Sequence, residues 1–223
     1  MNNCKLIIFD WDGTIMDSSA RIVSSMQNAS ESLSLSVPSA LAVRNIIGLS
    51  LDVAIPQIVP SISDADIKRL TQAYSKHYVE LDQTPTYLYE GVEDTLTNLK
   101  NKGYMLAIAT GKSRKGLDRV LAQTQLDKLI DIPKGADEAN SKPDPLMLIQ
   151  ILEQANIKVH DAIMIGDTSY DLEMAQRAQM PSIGVSYGMH ETTLLKKYSP
   201  LVIVDRFPQI EEWLDSKLES KSE

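Results

Sequence analysis

The amino-acid sequence predicts an α/β protein with a doubly wound, mainly parallel sheet and a small all-helical cap inserted after the first strand. Two features of the sequence predict this fold class. Short, nearly continuous apolar runs, which are typical of strands buried on both faces, alternate with segments whose apolar residues recur at helical spacing. One early segment shows only helical spacing and therefore interrupts the alternation.

The strands of the sheet are predicted from five apolar runs and one weaker run. The five runs are residues 5–9, 104–109, 162–165, 182–185 and 201–204. The weaker strand is predicted at residues 129–132. Helical patterns lie between the runs: Val92, Leu96 and Leu99, for example, recur at i, i+4 and i+7, and Gly103 is a stop signal for that helix.

The helical cap is predicted to span residues 17–84. Its last long helix begins after Ser63, because Ser63 and Asp66 have the spacing of a capping box with Asp in place of Glu or Gln. The α/β core would then comprise residues 1–16 and 85–223, and we expect the cap to lie over it as a lid.

The composition excludes several classes of protein. The 223 residues include 30 acidic and 22 basic side chains, a net charge of −8, whereas nucleic acids and anionic membranes bind basic surfaces. No apolar run approaches the ~20 residues of a membrane span. The single cysteine, Cys4, has no partner for an intramolecular disulfide, which favours a reducing compartment. We therefore expect a cytoplasmic monomer or homodimer that binds neither nucleic acid nor membrane.

Candidate functional residues follow the predicted strands, at the edge where open α/β sheets bind their ligands. Asp10 and Asp12 are alternate residues after a strand and could share one space. Two carboxylates about 4 Å apart repel by ~4 kcal/mol at an effective dielectric constant of about 20, so such a pair is tolerated mainly beside a cation or when one carboxyl group is protonated. The candidates are Asp10 and Asp12 in DWDGT, Thr110 and Gly111 in TGKS, Lys142 in SKPDP, and Asp167 and Asp171 in GDTSYD.

These segments together indicate a site for a divalent cation and a phosphate group. A hydroxyl, a glycine and the start of a helix, as in TGKS, can bind an anion. The prolines around Asp144 suit the first turn of a helix and would fix the direction of Lys142. Because hard cations prefer oxygen ligands, we expect Mg²⁺ among the carboxylates.

The four segments resemble the four motifs of the haloacid dehalogenase (HAD) superfamily of phosphohydrolases, in the same order and over nearly the whole chain. The helical insert resembles the small cap of the phosphoglycolate phosphatase-like branch, which also includes β-phosphoglucomutase. The resemblance implies a HAD-like Rossmannoid core and a phosphoric monoester hydrolase that uses Mg²⁺.

The resemblance also implies a role for each candidate residue. Asp10 would attack phosphorus and become an aspartyl phosphate. Asp12 would protonate the leaving oxygen and then activate water, and its backbone carbonyl would reach the metal. The HAD dehalogenases lack a carboxylate at this second position, so Asp12 favours phosphate chemistry. The remaining implied roles are phosphate binding by Thr110 and the N–H of Gly111, charge neutralisation by Lys142, and metal binding by Asp167 directly and by Asp171 through water or as an orienting group.

Several activities are compatible with these motifs. The leading hypothesis is hydrolysis of a small phosphorylated metabolite such as phosphoglycolate; a β-phosphoglucomutase-like phosphotransferase, a nucleotidase and a pyrophosphatase remain alternatives. A mutase would need a second phosphate site in the cap, and the cap loop IIGLSL contains no arginine for it. A regulatory domain that only accepts a phosphoryl group would need neither Asp12 nor a lid. Arg21 and Arg44 of the cap could reach a substrate.

Overall fold

The computed structural model describes residues 4–219 and contains a six-stranded parallel sheet in the order β5-β4-β1-β6-β7-β8. The strands are β1 (Leu6–Phe9), β2 (Met16–Asp17), β3 (Tyr87–Leu88), β4 (Met105–Ala109), β5 (Ile132–Lys134), β6 (Ala162–Gly166), β7 (Ser182–Val185) and β8 (Ile203–Val204). The predicted α/β fold class is confirmed. Residues 1–3 and 220–223 of the predicted core lie outside the described part of the chain.

Helices cover both faces of this sheet and also form the segment between β2 and β3. They are α1 (Ser19–Ser32), α2 (Ala40–Asn45), α3 (Leu51–Ile58), α4 (Asp64–Lys76), α5 (Val92–Asn101), α6 (Arg114–Thr124), α7 (Leu146–Ala155), α8 (Ser169–Arg177), α9 (Thr192–Leu195) and α10 (Gln209–Glu219). Within residues 4–219, no helix has both the length and the apolar composition that crossing a bilayer requires.

The central strand β1 explains why both faces of the sheet are covered. Its four side chains are fully buried and alternate between two cores. Ile7 and Phe9 pack with α5, α6 and α10, and the Phe9 ring stacks on Phe207 with 5.6 Å between centroids. Leu6 and Ile8 pack with α7 and α8 on the opposite face. The continuous apolar run of β1 is therefore a consequence of burial on two sides.

Helices α1–α4 form the segment between β2 and β3, hereafter the helical segment. They pack on one another around a separate apolar core, to which Met26, Ile55 and Leu70 contribute fully buried side chains. Helix α4 continues into a π-helical turn at His77–Leu81. The two chain segments that connect these helices to the sheet pair as β2 and β3, an antiparallel pair that no sequence pattern predicts. The capping interaction predicted for α4 is present, since Ser63 Oγ accepts a hydrogen bond of 3.1 Å from the Asp66 N–H.

One predicted strand is displaced along the chain. The apolar run predicts a strand at 129–132, but Leu126–Lys128 forms a 3₁₀ turn and the strand is Ile132–Lys134. Ile130 follows this turn and its side chain is buried. This burial accounts for the apolar run that precedes the strand. Strand β5 contains Pro133, which has no N–H to donate and is accommodated because β5 lies at the edge of the sheet.

Candidate active site

The site lies where three neighbouring strands end. Asp10 follows β1, Thr110 follows β4 and Asp167 follows β6, and β1 lies between the other two in the sheet. Because the strands are parallel and in register, their carboxyl ends meet at one edge. All three side chains are buried. The sheet therefore brings together residues from three distant parts of the sequence.

Three carboxylates form a compact acidic cluster at this edge. Asp10, Asp167 and Asp171 each offer an oxygen, and these oxygens lie within 4.8 Å of one another. Asp167 is oriented by hydrogen bonds of 2.8 Å from the Thr14 hydroxyl and from the Met189 N–H. By contrast, neither oxygen of Asp10 accepts a hydrogen bond of good geometry from a described residue. The cluster consequently has buried oxygen atoms that could hold a metal ion.

The pKa values in the cluster reflect the cost of burying several carboxylates together. Burial, followed by the negative charges of Asp171 and Asp12, raises the pKa of Asp10 to about 7 even though Lys142 opposes this shift. Burial and the charges of Asp10 and Asp171 hold the pKa of Asp167 well above its ordinary value. A cation bound between them would favour the ionised forms.

Lys142 neutralises part of this charge. Its Nζ lies 2.8 Å from Asp10 Oδ1 and 2.6 Å from Asp171 Oδ1, and its side chain is fully buried. Burial lowers the pKa of Lys142, but the neighbouring carboxylates outweigh burial and leave that pKa raised. The next residue towards the N-terminus, Ser141, accepts a hydrogen bond of 3.0 Å from the Ser50 N–H and so connects this loop to the helical segment.

Asp171 also stabilises the start of helix α8. Its Oδ2 accepts hydrogen bonds of 3.0 Å from the N–H of Thr168 and 2.7 Å from the Thr168 hydroxyl, which completes a capping box. Its Oδ1 is the oxygen that contacts Lys142. With both oxygens occupied, Asp171 is placed to orient Lys142, and its expected metal contact stays a prediction.

The carboxylate of Asp12 lies apart from the acidic cluster and lines a cavity beneath the helical segment. Its Oδ1 accepts a hydrogen bond of 2.6 Å from the Ser18 hydroxyl, and its Oδ2 lies 3.0 Å from Lys112 Nζ. The cavity has a volume of about 780 Å³. The structure thus separates the two carboxylates of DWDGT, with Asp10 in the cluster and Asp12 facing the cavity.

Two glycines allow the close contacts around the site. Gly13 has a φ of +89°, and a Cβ there would lie 2.1 Å from Asp167 Oδ2. A Cβ on Gly111 would lie 2.5 Å from the carbonyl oxygen of Gly48, so Gly111 lets the loop after β4 contact the helical segment. Next to it, the Thr110 hydroxyl accepts a 3.3 Å hydrogen bond from the Lys112 N–H.

Three residues of the site are not among the candidates from the sequence. The basic run that contains Lys112 is typical of a solvated helix face, although a run so close to TGKS could also attract an anionic substrate; in the structure Lys112 is largely buried and paired with Asp12. Ser18, which orients Asp12, carries no sequence signal beyond its proximity to DWDGT, whereas Thr14, which orients Asp167, is the last residue of that motif. Arg21 and Arg44 are not among the residues that line the cavity, and the Nε of Arg21 donates instead to the Thr84 carbonyl.

The fold and the site define an enzyme whose candidate reacting groups are carboxylates at the carboxyl edge of a parallel sheet, covered by a helical segment. Comparison with known proteins then gives its family. The model of the haloacid dehalogenase-like hydrolases matches residues 7–185. The chain therefore belongs to the haloacid dehalogenase-like hydrolase family, and it is an enzyme of the phosphatase type within it.

Individual relatives agree with this assignment. A probable phosphatase, IndB, of Dickeya dadantii is 36% identical over 209 residues, which cover 92% of this chain and 91% of the relative. A phosphoglycolate phosphatase of Aliivibrio fischeri is 30% identical, with 91% and 93% of the two chains covered. The crystal structure of a predicted phosphoglycolate phosphatase from Haemophilus somnus superposes with a TM-score of 0.87 at 26% identity, covering 96% of this chain and 99% of that one.

Proposed function

We propose that this protein hydrolyses a small phosphorylated metabolite with the help of Mg²⁺, through an aspartyl phosphate on Asp10, as a phosphoglycolate phosphatase-like enzyme. The observation that carries the proposal is the arrangement of the DWDGT carboxylates, with Asp10 buried beside Lys142 and Asp12 facing the cavity. A nucleophile and an acid/base group need different surroundings, and this separation supplies them.

The donor atoms around Asp10 fit Mg²⁺. Asp10 Oδ2 accepts no hydrogen bond from a described residue, and Asp10 Oδ1 contacts Lys142. The three carboxylates of the cluster therefore offer the oxygen ligands that hard cations prefer. Asp10 and Asp167 would bind the ion directly, Asp12 through its backbone carbonyl, and Asp171 through water or by orienting Lys142. The bound ion would act as a Lewis acid and screen the charge of the phosphate.

In the proposed first step, an oxygen of Asp10 forms a bond to phosphorus while the bond from phosphorus to the leaving oxygen breaks. Asp12 gives its proton to that leaving oxygen. In the second step Asp12 removes a proton from water, and the water oxygen displaces Asp10 from phosphorus, which restores the Asp10 carboxylate and the protonated Asp12 and releases inorganic phosphate. Phosphate oxygens would be held by the Thr110 hydroxyl, the Gly111 N–H and Lys142, which offset the charge in transfer.

The remaining features of the proposal concern the whole protein. We assign residues 17–84 to the cap and the rest of the chain to the core, and we place the enzyme in the cytoplasm as a monomer or homodimer that binds neither nucleic acid nor membrane. The mutase, nucleotidase and pyrophosphatase alternatives share the proposed catalytic residues. The absence of arginine from the cap loop IIGLSL favours a hydrolase over the mutase.

Steady-state hydrolysis of p-nitrophenyl phosphate with Mg²⁺ tests the proposal. Asp10→Asn and Asp12→Asn should each lower kcat by at least about 100-fold, in the range found for loss of acid–base catalysis. Asp17→Asn is the matched control, because Asp17 is an exposed carboxylate close by in the sequence. Undiminished turnover by Asp12→Asn would remove Asp12 from the mechanism. Stoichiometric labelling of the wild type without turnover would support a phospho-accepting regulator instead.

A further inference from the structure

The cavity beneath the helical segment is much larger than phosphoglycolate requires. Its volume of about 780 Å³ lies within the range of roughly 300–1,000 Å³ that is usual for sites that enclose drug-sized ligands. Asp12 lines this cavity and is the proposed proton donor to the leaving oxygen, so the group attached to that oxygen must extend into the cavity. The large cavity therefore favours a leaving group larger than glycolate.

Most of the wall that the helical segment contributes is apolar. Met26, Ile47 and Leu49 line it together with the aromatic side chains of Tyr74 and Tyr78. The two tyrosine rings lie 5.8 Å apart between centroids. A small hydrophilic acid such as glycolate would leave this surface uncovered, whereas an aromatic or otherwise apolar group would bury it.

The opposite wall, on helix α6, presents a guanidinium group that has no anionic partner among the side chains that the structure describes. Arg119 lines the cavity, and no described carboxylate forms an ion pair with it. Its Nε is buried and donates no hydrogen bond to a described residue. Leaving a buried donor unsatisfied costs about 1–3 kcal/mol, and a ligand that supplies an acceptor would recover this cost.

Tyr78 lies beside both cations of the cavity wall. Lys112 Nζ, which contacts Asp12, lies 4.9 Å from the Tyr78 ring centroid, and the guanidinium carbon of Arg119 lies 5.6 Å from the same centroid. One aromatic side chain therefore connects the Asp12 end of the cavity to Arg119. A ligand that carries an acidic group on its apolar body can therefore place this group at Arg119 while its ester oxygen lies at Asp12.

We propose that the substrate is a phosphate monoester whose leaving group has a bulky, largely apolar body and a second acidic group, and that Arg119 binds this acidic group. The inference rests on the proposed phosphatase function and narrows its substrate. Arg119 is then a specificity-determining residue, while Asp10 and Asp12 perform the same steps for any monoester that fits.

Three phosphate monoesters allow recognition of the apolar body and recognition of the acidic group to be tested separately. Phenyl phosphate has an apolar body without an acid, phosphoglycolate has an acid without an apolar body, and 4-carboxyphenyl phosphate has both. We expect the ratio of kcat/KM for 4-carboxyphenyl phosphate over phenyl phosphate to fall about 10- to 100-fold in Arg119→Leu, as loss of a charge-assisted hydrogen bond predicts, and to be partly retained in Arg119→Lys. Arg69→Leu is the control, since Arg69 is exposed on α4.

A cavity-filling variant tests the apolar body separately. Ala54 is buried and lines the cavity, so Ala54→Phe should raise KM for both aryl esters and spare phosphoglycolate. An unchanged ratio in Arg119→Leu, or an equal effect of Ala54→Phe on all three esters, would overturn the inference and leave the phosphatase proposal intact. Failure of the wild type to hydrolyse any of the three with Mg²⁺ would overturn the phosphatase proposal itself.

A binding measurement covers the case in which a variant does not fold. Calorimetric titration of the wild type with Mg²⁺ should give a Kd for 4-carboxyphenylphosphonate about tenfold lower than for phenylphosphonate, because only the former can reach Arg119. Equal Kd values for the two phosphonates would contradict the assignment of Arg119 without any substitution.

Discussion

Replacing Lys142 by methionine removes the ammonium group that lies between Asp10 and Asp171, and the structure gives the expected size of the effect. Methionine retains a long side chain, so the substitution creates little empty space. The distances of 2.8 and 2.6 Å and the complete burial of the Lys142 side chain place this pair of contacts among buried ion pairs. Removing one partner of such a pair costs about 3–5 kcal/mol, because a buried charge is left uncompensated.

For a chain of this length, a loss of that size corresponds to a decrease in Tm of roughly 6–20 °C. Urea unfolding at pH 8 in EDTA should show the loss in free energy directly. The loss should be smaller at pH 5, since Asp10 and its neighbours can then bind protons instead of repelling one another. Mg²⁺ should restore part of the stability, whereas kcat should stay about 10²- to 10³-fold lower than in the wild type.

Lys102→Met is the matched control for this prediction. Lys102 makes contacts of 2.7 Å with Glu211 and 2.6 Å with Asp215, but all three side chains are partly exposed. Such surface pairs contribute about 0–1 kcal/mol. If Lys142→Met costs no more than Lys102→Met at pH 8, the acidic cluster does not depend on Lys142 and the reasoning is refuted.

Three further predictions concern the same cluster. Saturating Mg²⁺, at about 100 times its Kd, should stabilise the wild type by about 2.7 kcal/mol and raise its Tm. Asp167→Asn should lose most of this increase in Tm. An equal increase in Tm in both proteins would contradict the metal site. In urea unfolding, Gly13→Ala should lower the free energy of unfolding more than Gly103→Ala. Both glycines have φ near +90°, but only at Gly13 would a Cβ lie 2.1 Å from an Asp167 oxygen. Equal decreases in the free energy of unfolding would show that this contact relaxes freely. In the folded state without metal, the pKa of Asp10 is about 7, so the contribution of this group to stability is present below about pH 4 and is lost as the pH rises towards 7. In EDTA, the free energy of unfolding of the wild type should therefore decline relative to that of Asp10→Asn over this pH range. Parallel pH dependence of the two proteins would argue against the raised pKa.

Much of the fold could be predicted because burial on both faces leaves a clear pattern. Strand β1 is LIIF, and its residues alternate between two cores, so each position must be apolar. The carboxyl ends of β1, β4 and β6 then meet at one edge for purely topological reasons. This is why the sequence alone places Asp10, Thr110 and Asp167 together.

The features that the sequence does not predict depend on geometry that has no periodic signature. Strands β2 and β3 have two residues each, too few to show an alternation. The pairing of Lys112 with Asp12 depends on how α6 begins relative to DWDGT, and a basic run on a helix has the same sequence whether its face is solvated or lines a cavity. The cavity itself forms between two separate cores, so its volume follows from how they pack and not from either sequence pattern alone.

The proposed covalent intermediate can be trapped directly. Asp12→Asn should still allow Asp10 to attack a substrate with a good leaving group, such as p-nitrophenyl phosphate, but should slow the hydrolysis that follows, since the amide does not accept a proton from water. Reduction of the quenched protein with borohydride, followed by peptide mass spectrometry, should then convert Asp10 into homoserine in a substrate- and Mg²⁺-dependent manner. Unmodified Asp10 in a variant that releases p-nitrophenol, or modification of a different carboxylate, would contradict the aspartyl-phosphate mechanism.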